Sequence, residues 1–168
     1  MEQTGKFRLI ASHTLKWEGG YVWDRQDPGG ETNMGISKRA YPDKDIKSLT
    51  YEEVLAIYYQ DYYLPSGAAL IESLPLASKH YDLCVNMGTR TATRLLQRAA
   101  NGVGPARLAE DGRPGPLTLQ VVNACDPAQL LAGLIVVAKD RYRAIIQKRP
   151  TSQKYWRGWM NRLEDTLI

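Results

Sequence analysis

The chain has 168 residues, 43% of them hydrophobic and 24% charged, with a formal net charge of +4. This composition excludes a disordered chain, and no apolar run approaches the roughly 18 residues of a membrane span, so one domain with a proper core is expected. The charge is uneven. Residues 1–85 carry nine Lys and Arg against twelve Asp and Glu, and residues 86–168 thirteen against six, the asymmetry of a surface that meets a polyanion.

The N-terminus, Met1 to Phe7, has no basic head followed by an apolar run, so no signal peptide is expected. Phe7, Ile10, Ala11, Thr14, Leu15 and Glu18 stand at offsets 0, 3, 4, 7, 8 and 11. They mark one face of a helix running from about Thr4 to Glu18. Gly19 and Gly20 then stop it. The Glu18 carboxylate therefore closes an apolar stripe at the negative end of a helix, where desolvation and the dipole both favour the protonated form. A general acid must present that form near neutral pH. A glutamate closing an amphipathic helix is more often solvated or ion-paired; here the Gly-Gly exit and the matched Asp27 and Thr32 favour catalysis.

Asp27 lies nine residues after Glu18, and Thr32 five after Asp27. Asp27-Pro28-Gly29-Gly30 is a strong turn signal, and Tyr21-Val22-Trp23 alternates before it, so a small β-hairpin is expected between Gly19 and about Ile36. A Glu, an Asp and a Thr around such a hairpin suit hydrolysis of a polysaccharide. Glu18 would protonate the leaving oxygen, Asp27 would polarise a water and Thr32 would position it. Asp24 is the alternative second carboxylate, because Asp before Pro-Gly-Gly is often only a turn former. Tyr21 and Trp23 are the candidate glycan contacts beside the acid.

Asn33 to Lys38 should lead into a short helix ending before Pro42. Thr50-Tyr51-Glu52-Glu53 is a capping box, opening a helix whose Tyr51, Val54, Leu55, Tyr58, Tyr59 and Tyr62 recur with helical period until Pro65. That tyrosine stripe reads first as core lining and second as a sugar platform. A helix from about Leu74 to Met87 places Asp82 and Asn86 on one face. They form either a buried polar pair tying the helix to the hairpin or a contact for N-acetyl groups. His80, on the same helix, reads as a surface or partly buried residue. Two histidines without ligand spacing predict no metal, and no cofactor is expected. Cys84 and Cys125, lacking CxxC spacing, read as reduced, buried thiols, with a disulfide left open.

Further helices run from Ala92 to Asn101-Gly102, from Pro116 to Val122, and from Asp126-Pro127 to Pro150. The outer face of the last carries Lys139, Arg141, Arg143, Lys148 and Arg149, a solvated basic face or a polyanion dock. Ser152 should cap a final helix in which Trp156 and Trp159 are core anchors. About seven helices and one small β element make a predominantly helical α+β protein.

Glu18-Gly19-Gly20-Tyr21, then Asp27-Pro28-Gly29-Gly30-Glu31-Thr32, then Gly35-Ile36-Ser37 resemble the signature of glycoside hydrolase family 108, the bacterial and phage N-acetylmuramidases. The Glu–Asp–Thr order is also similar to the phage-type lysozymes. Tyr81-Asp82-Leu83-Cys84-Val85-Asn86-Met87-Gly88 resembles the family's aromatic-Asp-x-x-Val-Asn-x-Gly segment. Asp111-Gly112-Arg113-Pro114-Gly115-Pro116-Leu117-Thr118 is similar to a signature of peptidoglycan-binding modules, although Pro114 replaces the usual aromatic or aliphatic residue. The resemblance implies a lysozyme-like fold, with a catalytic lobe over residues 1–88 and a helical peptidoglycan-binding-like lobe over 89–168, in one compact unit. It implies a muramidase that cleaves β-1,4 bonds of peptidoglycan glycan strands, a phage endolysin-like monomer. Such an enzyme would be made in the bacterial cytoplasm and reach the wall through a holin or a secretion route. Neither nucleic acid nor stable membrane insertion is expected. A non-catalytic wall-binding module is the alternative, carried by the Asp111–Thr118 loop and the basic half.

Overall fold

A computed structural model describes residues 2–23 and 30–167. Within them α1 (Glu2–Leu15) leads into an antiparallel sheet of β1 (Val22–Trp23), β2 (Glu31–Asn33) and β3 (Ile36–Ser37), paired in that order. Then come α2 (Tyr51–Tyr58), a π-helical turn (Tyr59–Tyr63), α3 (Leu64–Ser66), α4 (Leu74–Met87), α5 (Thr89–Val103), α6 (Pro116–Ala124), α7 (Pro127–Lys148) and α8 (Trp156–Glu164). This is the predominantly helical α+β architecture expected. Among the described residues no single helix is long and apolar enough to cross a membrane.

The centre is α4, which packs on α1, α5 and α7. A helix covered from several sides has no wet face, and nine consecutive residues, Leu76 to Cys84, are buried. Three of them are Lys79, His80 and Asp82, whose polar groups must find partners inside. Lys79 Nζ donates to the carbonyls of Arg162 at 2.9 Å and Asp165 at 2.8 Å. His80, expected at or near the surface, is fully buried, with Nε2 3.0 Å from the Ser66 carbonyl. Burial lowers its pKa to about 4, against the smaller opposing effect of that hydrogen bond. The pattern of α4 misleads because two neighbouring helices cover the face that would otherwise be solvated. Cys84 and Cys125 are both free and buried.

Local signals set most helix starts. The Thr50 hydroxyl accepts from Glu53 N at 3.3 Å while the Glu53 carboxylate accepts from Thr50 N at 2.8 Å, the reciprocal capping box. Asp126 caps α7 by accepting from Gln129 N at 2.8 Å. The stops are less local. α1 ends at Leu15, three residues before Glu18, which sits in a turn closed by Glu18 N on the Leu15 carbonyl at 3.1 Å. Pro65 does not end its helix: the π turn before it widens the rod where a proline would otherwise crowd the preceding carbonyl. The exit is Gly67, left-handed at φ 70°. No helix forms before Pro42; the Ser37 carbonyl accepts from Ala40 and Tyr41 in a single turn. Ser152 does not cap α8 but lies inside a 3₁₀ turn, Pro150–Tyr155.

The tyrosine stripe of α2 and the π turn lines the core. Phe7 lies 5.0 Å, centroid to centroid, from both Tyr59 and Tyr63, and Tyr63 lies 6.0 Å from Tyr81. On the far side Trp159 stacks on Tyr142 at 4.8 Å, anchoring α8 to α7.

Candidate active site

β2 and β3 pair Asn33 with Ile36, leaving the two-residue loop Met34-Gly35. Both residues have positive φ, 46° and 77°, the type I′ geometry that suits the twist of paired strands. Two contacts seat the hairpin. Asn33 Nδ2 donates to the Ile46 carbonyl at 3.1 Å, and Tyr58 Oη donates to the Met34 carbonyl at 3.1 Å. Gly35 then lies directly against Glu18: a Cβ there would stand 2.9 Å from Glu18 Oε2 and overlap Tyr58 Oη. The hairpin turn thus closes one side of the acid, and only glycine fits that approach.

Glu18 is partly buried, its side chain 19% exposed. Its Oε1 is 2.9 Å from Arg162 Nη2, an α8 residue 144 positions along the chain. The same nitrogen is 2.9 Å from Asp82 Oδ1, and Arg162 Nε donates to both oxygens of Asp82, at 3.0 and 3.2 Å. The N–H bonds of Nη2 align with neither carboxylate, so its pull on both is that of a charge. Burial works against the guanidinium charge; Asp82 first and Glu18 second outweigh it and raise the Arg162 pKa. Tyr58 is pushed up by burial and then by the Glu18 charge, so its phenol stays a neutral donor. Oε1 of Glu18 is therefore taken, and Oε2 faces the hairpin turn.

Of the other candidates, Thr32 lies in the middle strand, paired with Val22 on one side and Ser37 on the other. Tyr21 and Trp23 are exposed on the outer strand and its approach, with Tyr21 Oη donating to Glu31 Oε1 at 2.7 Å. Asp27 and Asp24 lie outside the described residues. Asp82 and Asn86 both have partners within the protein. Asp82 is 3% exposed with its carboxylate on Arg162, and the Asn86 amide oxygen accepts from Tyr142 Oη at 2.7 Å. The pair ties α4 to α8 and α7, not to the hairpin, and Asp82 turns no free carboxylate to a cleft.

Sequence reasoning missed Arg162, Tyr58 and Gly35 as neighbours of the acid. One signal existed for Arg162: it stands three residues after Trp159 and beside Leu163, a cation on the apolar face of α8. The Asp111–Thr118 loop is consumed internally. Gln97 of α5 donates to Asp111 Oδ1 at 2.8 Å, the Arg113 carbonyl at 3.2 Å and Thr118 Oγ1 at 3.1 Å, and its oxygen accepts from Gly112 N at 2.9 Å.

Two families match the chain. One described as "Glycosyl hydrolase 108" matches residues 11–88, and one described as "Predicted Peptidoglycan domain" matches residues 91–164. No curated protein matches it. Among solved structures it is similar to one titled "Structure of Brucella abortus SagA", with a TM-score of 0.76 and 24% identity. That match covers 95% of this chain and 90% of the other, and the likeness is one of fold.

Proposed function

We propose, from the premise that this chain is a family 108 glycosyl hydrolase joined to a peptidoglycan domain, that it hydrolyses peptidoglycan glycan strands with Glu18 as general acid. The two family matches support a glycoside hydrolase that acts on peptidoglycan; the muramidase activity, the bond and the residue roles are our reading. The bond is the β-1,4 linkage between N-acetylmuramic acid and N-acetylglucosamine. What carries the reading is the state of one carboxylate: Glu18 is partly buried, Oε1 faces a guanidinium, and Oε2 is left beside the hairpin turn. Oε2 is then the oxygen that carries a proton to the leaving glycosidic oxygen.

The remaining roles fall to the residues around it. Asp27, with Asp24 as the alternative, polarises the attacking water, and Thr32 orients it, since a hydroxyl both donates and accepts. Water attack on the far face of the sugar inverts the β-linkage, so the first product is the α-anomer. Tyr21 and Trp23, exposed aromatic residues at the first strand, are the surfaces on which a sugar ring rests. We place the enzyme at the bacterial wall, acting as a monomer, with lysis as the outcome, as in a phage endolysin.

Mass spectrometry of fragments released from purified sacculi tests the bond. Muramic acid at the reducing end is expected, and glucosamine there, or amidase products, would refute it. Following the anomeric proton by NMR during early turnover tests the stereochemistry, because a β-product appearing first would make the second carboxylate a nucleophile.

A further inference from the structure

We propose that Arg162, supplied by the peptidoglycan module, is the positioning residue of the glycosidase site, and that Asp82 sets how much of its charge falls on Glu18. The proposal rests on the reading of Glu18 as the acid. Helix α1 stops at Leu15, and past it the backbone of the Glu18 turn is held only to the carbonyls of Thr14 and Leu15. Its side chains are instead held from α8 and the residues after it. Lys16 pairs with Asp165, Trp17 Nε1 donates to Asp165 Oδ2 at 2.7 Å, and Glu18 Oε1 faces Arg162 at 2.9 Å. Three consecutive residues are gripped by one short C-terminal segment. That segment is itself pinned from below, because the buried Lys79 donates to the Arg162 and Asp165 carbonyls. The acid's position is therefore set by the far end of the chain.

The charge count explains why Asp82 is there. Among the described residues, Arg162 from α8 and the phenols of Tyr58 and Tyr62 act on Glu18, Asp82 from α4 shares Arg162 with it, and the buried Lys79 and the Tyr142 phenol act in turn on Asp82 and Arg162. A lone guanidinium 2.9 Å from Glu18 would put its whole charge on that side chain. With Asp82 taking Nε and sharing Nη2, the charges of Arg162 and Asp82 offset one another when Glu18 carries its proton. As the proton moves from Oε2 to the glycosidic oxygen and the C–O bond breaks, the electrons of the O–H bond stay on Glu18. The new carboxylate then meets a cation already in place. One side chain serves both states because the planar guanidinium gives Nε to Asp82 while Nη2 lies 2.9 Å from each carboxylate, a fixed spacing that a single ammonium nitrogen on a flexible stem does not hold.

The test compares full-length Glu18→Gln, Asp82→Asn and Arg162→Lys on a soluble wall oligosaccharide, measuring kcat and KM across pH with thermal stability alongside. Asp82→Asn should move the alkaline fall of kcat to lower pH by about one unit, since it leaves Arg162 whole for Glu18. Arg162→Lys should lose between about tenfold and a hundredfold in kcat with KM unchanged, and it carries the test alone if Asp82→Asn does not fold. With Glu18→Gln inactive, an unshifted profile in folded Asp82→Asn, or full kcat in Arg162→Lys, overturns these roles and leaves the acid. A Glu18→Gln enzyme that still cleaves overturns both.

Discussion

The Glu18 turn and the Asp111–Thr118 loop are the two places where polar residues form a recognisable pattern, and the structure uses them oppositely. In the loop, Asp111, Gly112, Arg113 and Thr118 all converge on Gln97, and a Cβ at Gly112 would overlap the Arg90 carbonyl. Its polar groups are consumed in shaping backbone. In the turn, the partners of Lys16, Trp17 and Glu18 all come from the far end of the chain, and one oxygen of Glu18 is left beside the hairpin. A motif whose hydrogen bonds close on themselves makes structure, whereas one held from outside with a group to spare can do chemistry.

The sharpest separation should come from Glu18→Gln, which keeps the shape of the side chain. A rate loss of at least about a hundredfold on purified wall is expected, with the thermal midpoint unchanged or raised; near-normal lysis would remove Glu18 from the mechanism. The loop should answer in stability instead. Gln97→Ala leaves a buried N–H at Gly112 and the Thr118 hydroxyl short of partners, a loss of about 3 kcal/mol in a denaturant titration. Its kcat per folded molecule should be that of the unmodified enzyme, and a large kcat loss would bring the loop into the site.

A buried polar group outside both regions gives a baseline for pure structure. The folded-state pKa of His80, about 4, is below its ordinary 6.5. Between those values the unfolded chain binds a proton that the native one does not, so stability is full above about pH 6.5 and falls as pH drops toward 4. The expected loss by pH 5 is about 2 kcal/mol, read as a falling denaturant midpoint whose slope His80→Gln reduces. The two glycines separate the regions by kcat, the finest of these contrasts. Gly35→Ala and Gly112→Ala each force an L side chain to positive φ, near 77° and 75°, at about 1–2 kcal/mol apiece before the overlaps with Tyr58 Oη and the Arg90 carbonyl are added. Both should lower the thermal midpoint, but only Gly35→Ala, whose methyl meets Glu18, should also lower kcat. Equal kcat in the two would weaken the contrast between turn and loop.

The amino-acid sequence by itself determined most of the elements. Thr50 and Glu53, Asp126, and the run Leu74 to Met87 mark their helices because capping and periodicity act over a few residues. The hairpin was legible for the same reason, a local pattern with a local cause, whereas α1 ends at Leu15 and not at Gly19-Gly20. Tertiary structure decided what those patterns could not encode. It buried His80, because coverage of α4 depends on helices from elsewhere in the chain. It carried the rod through Pro65 to Gly67. It also set Asp82 against Arg162, 80 residues away. An ion pair across that separation leaves no spacing to read, since its partners meet only when α4 and α8 pack, and whether a buried charge is tolerable depends on that meeting.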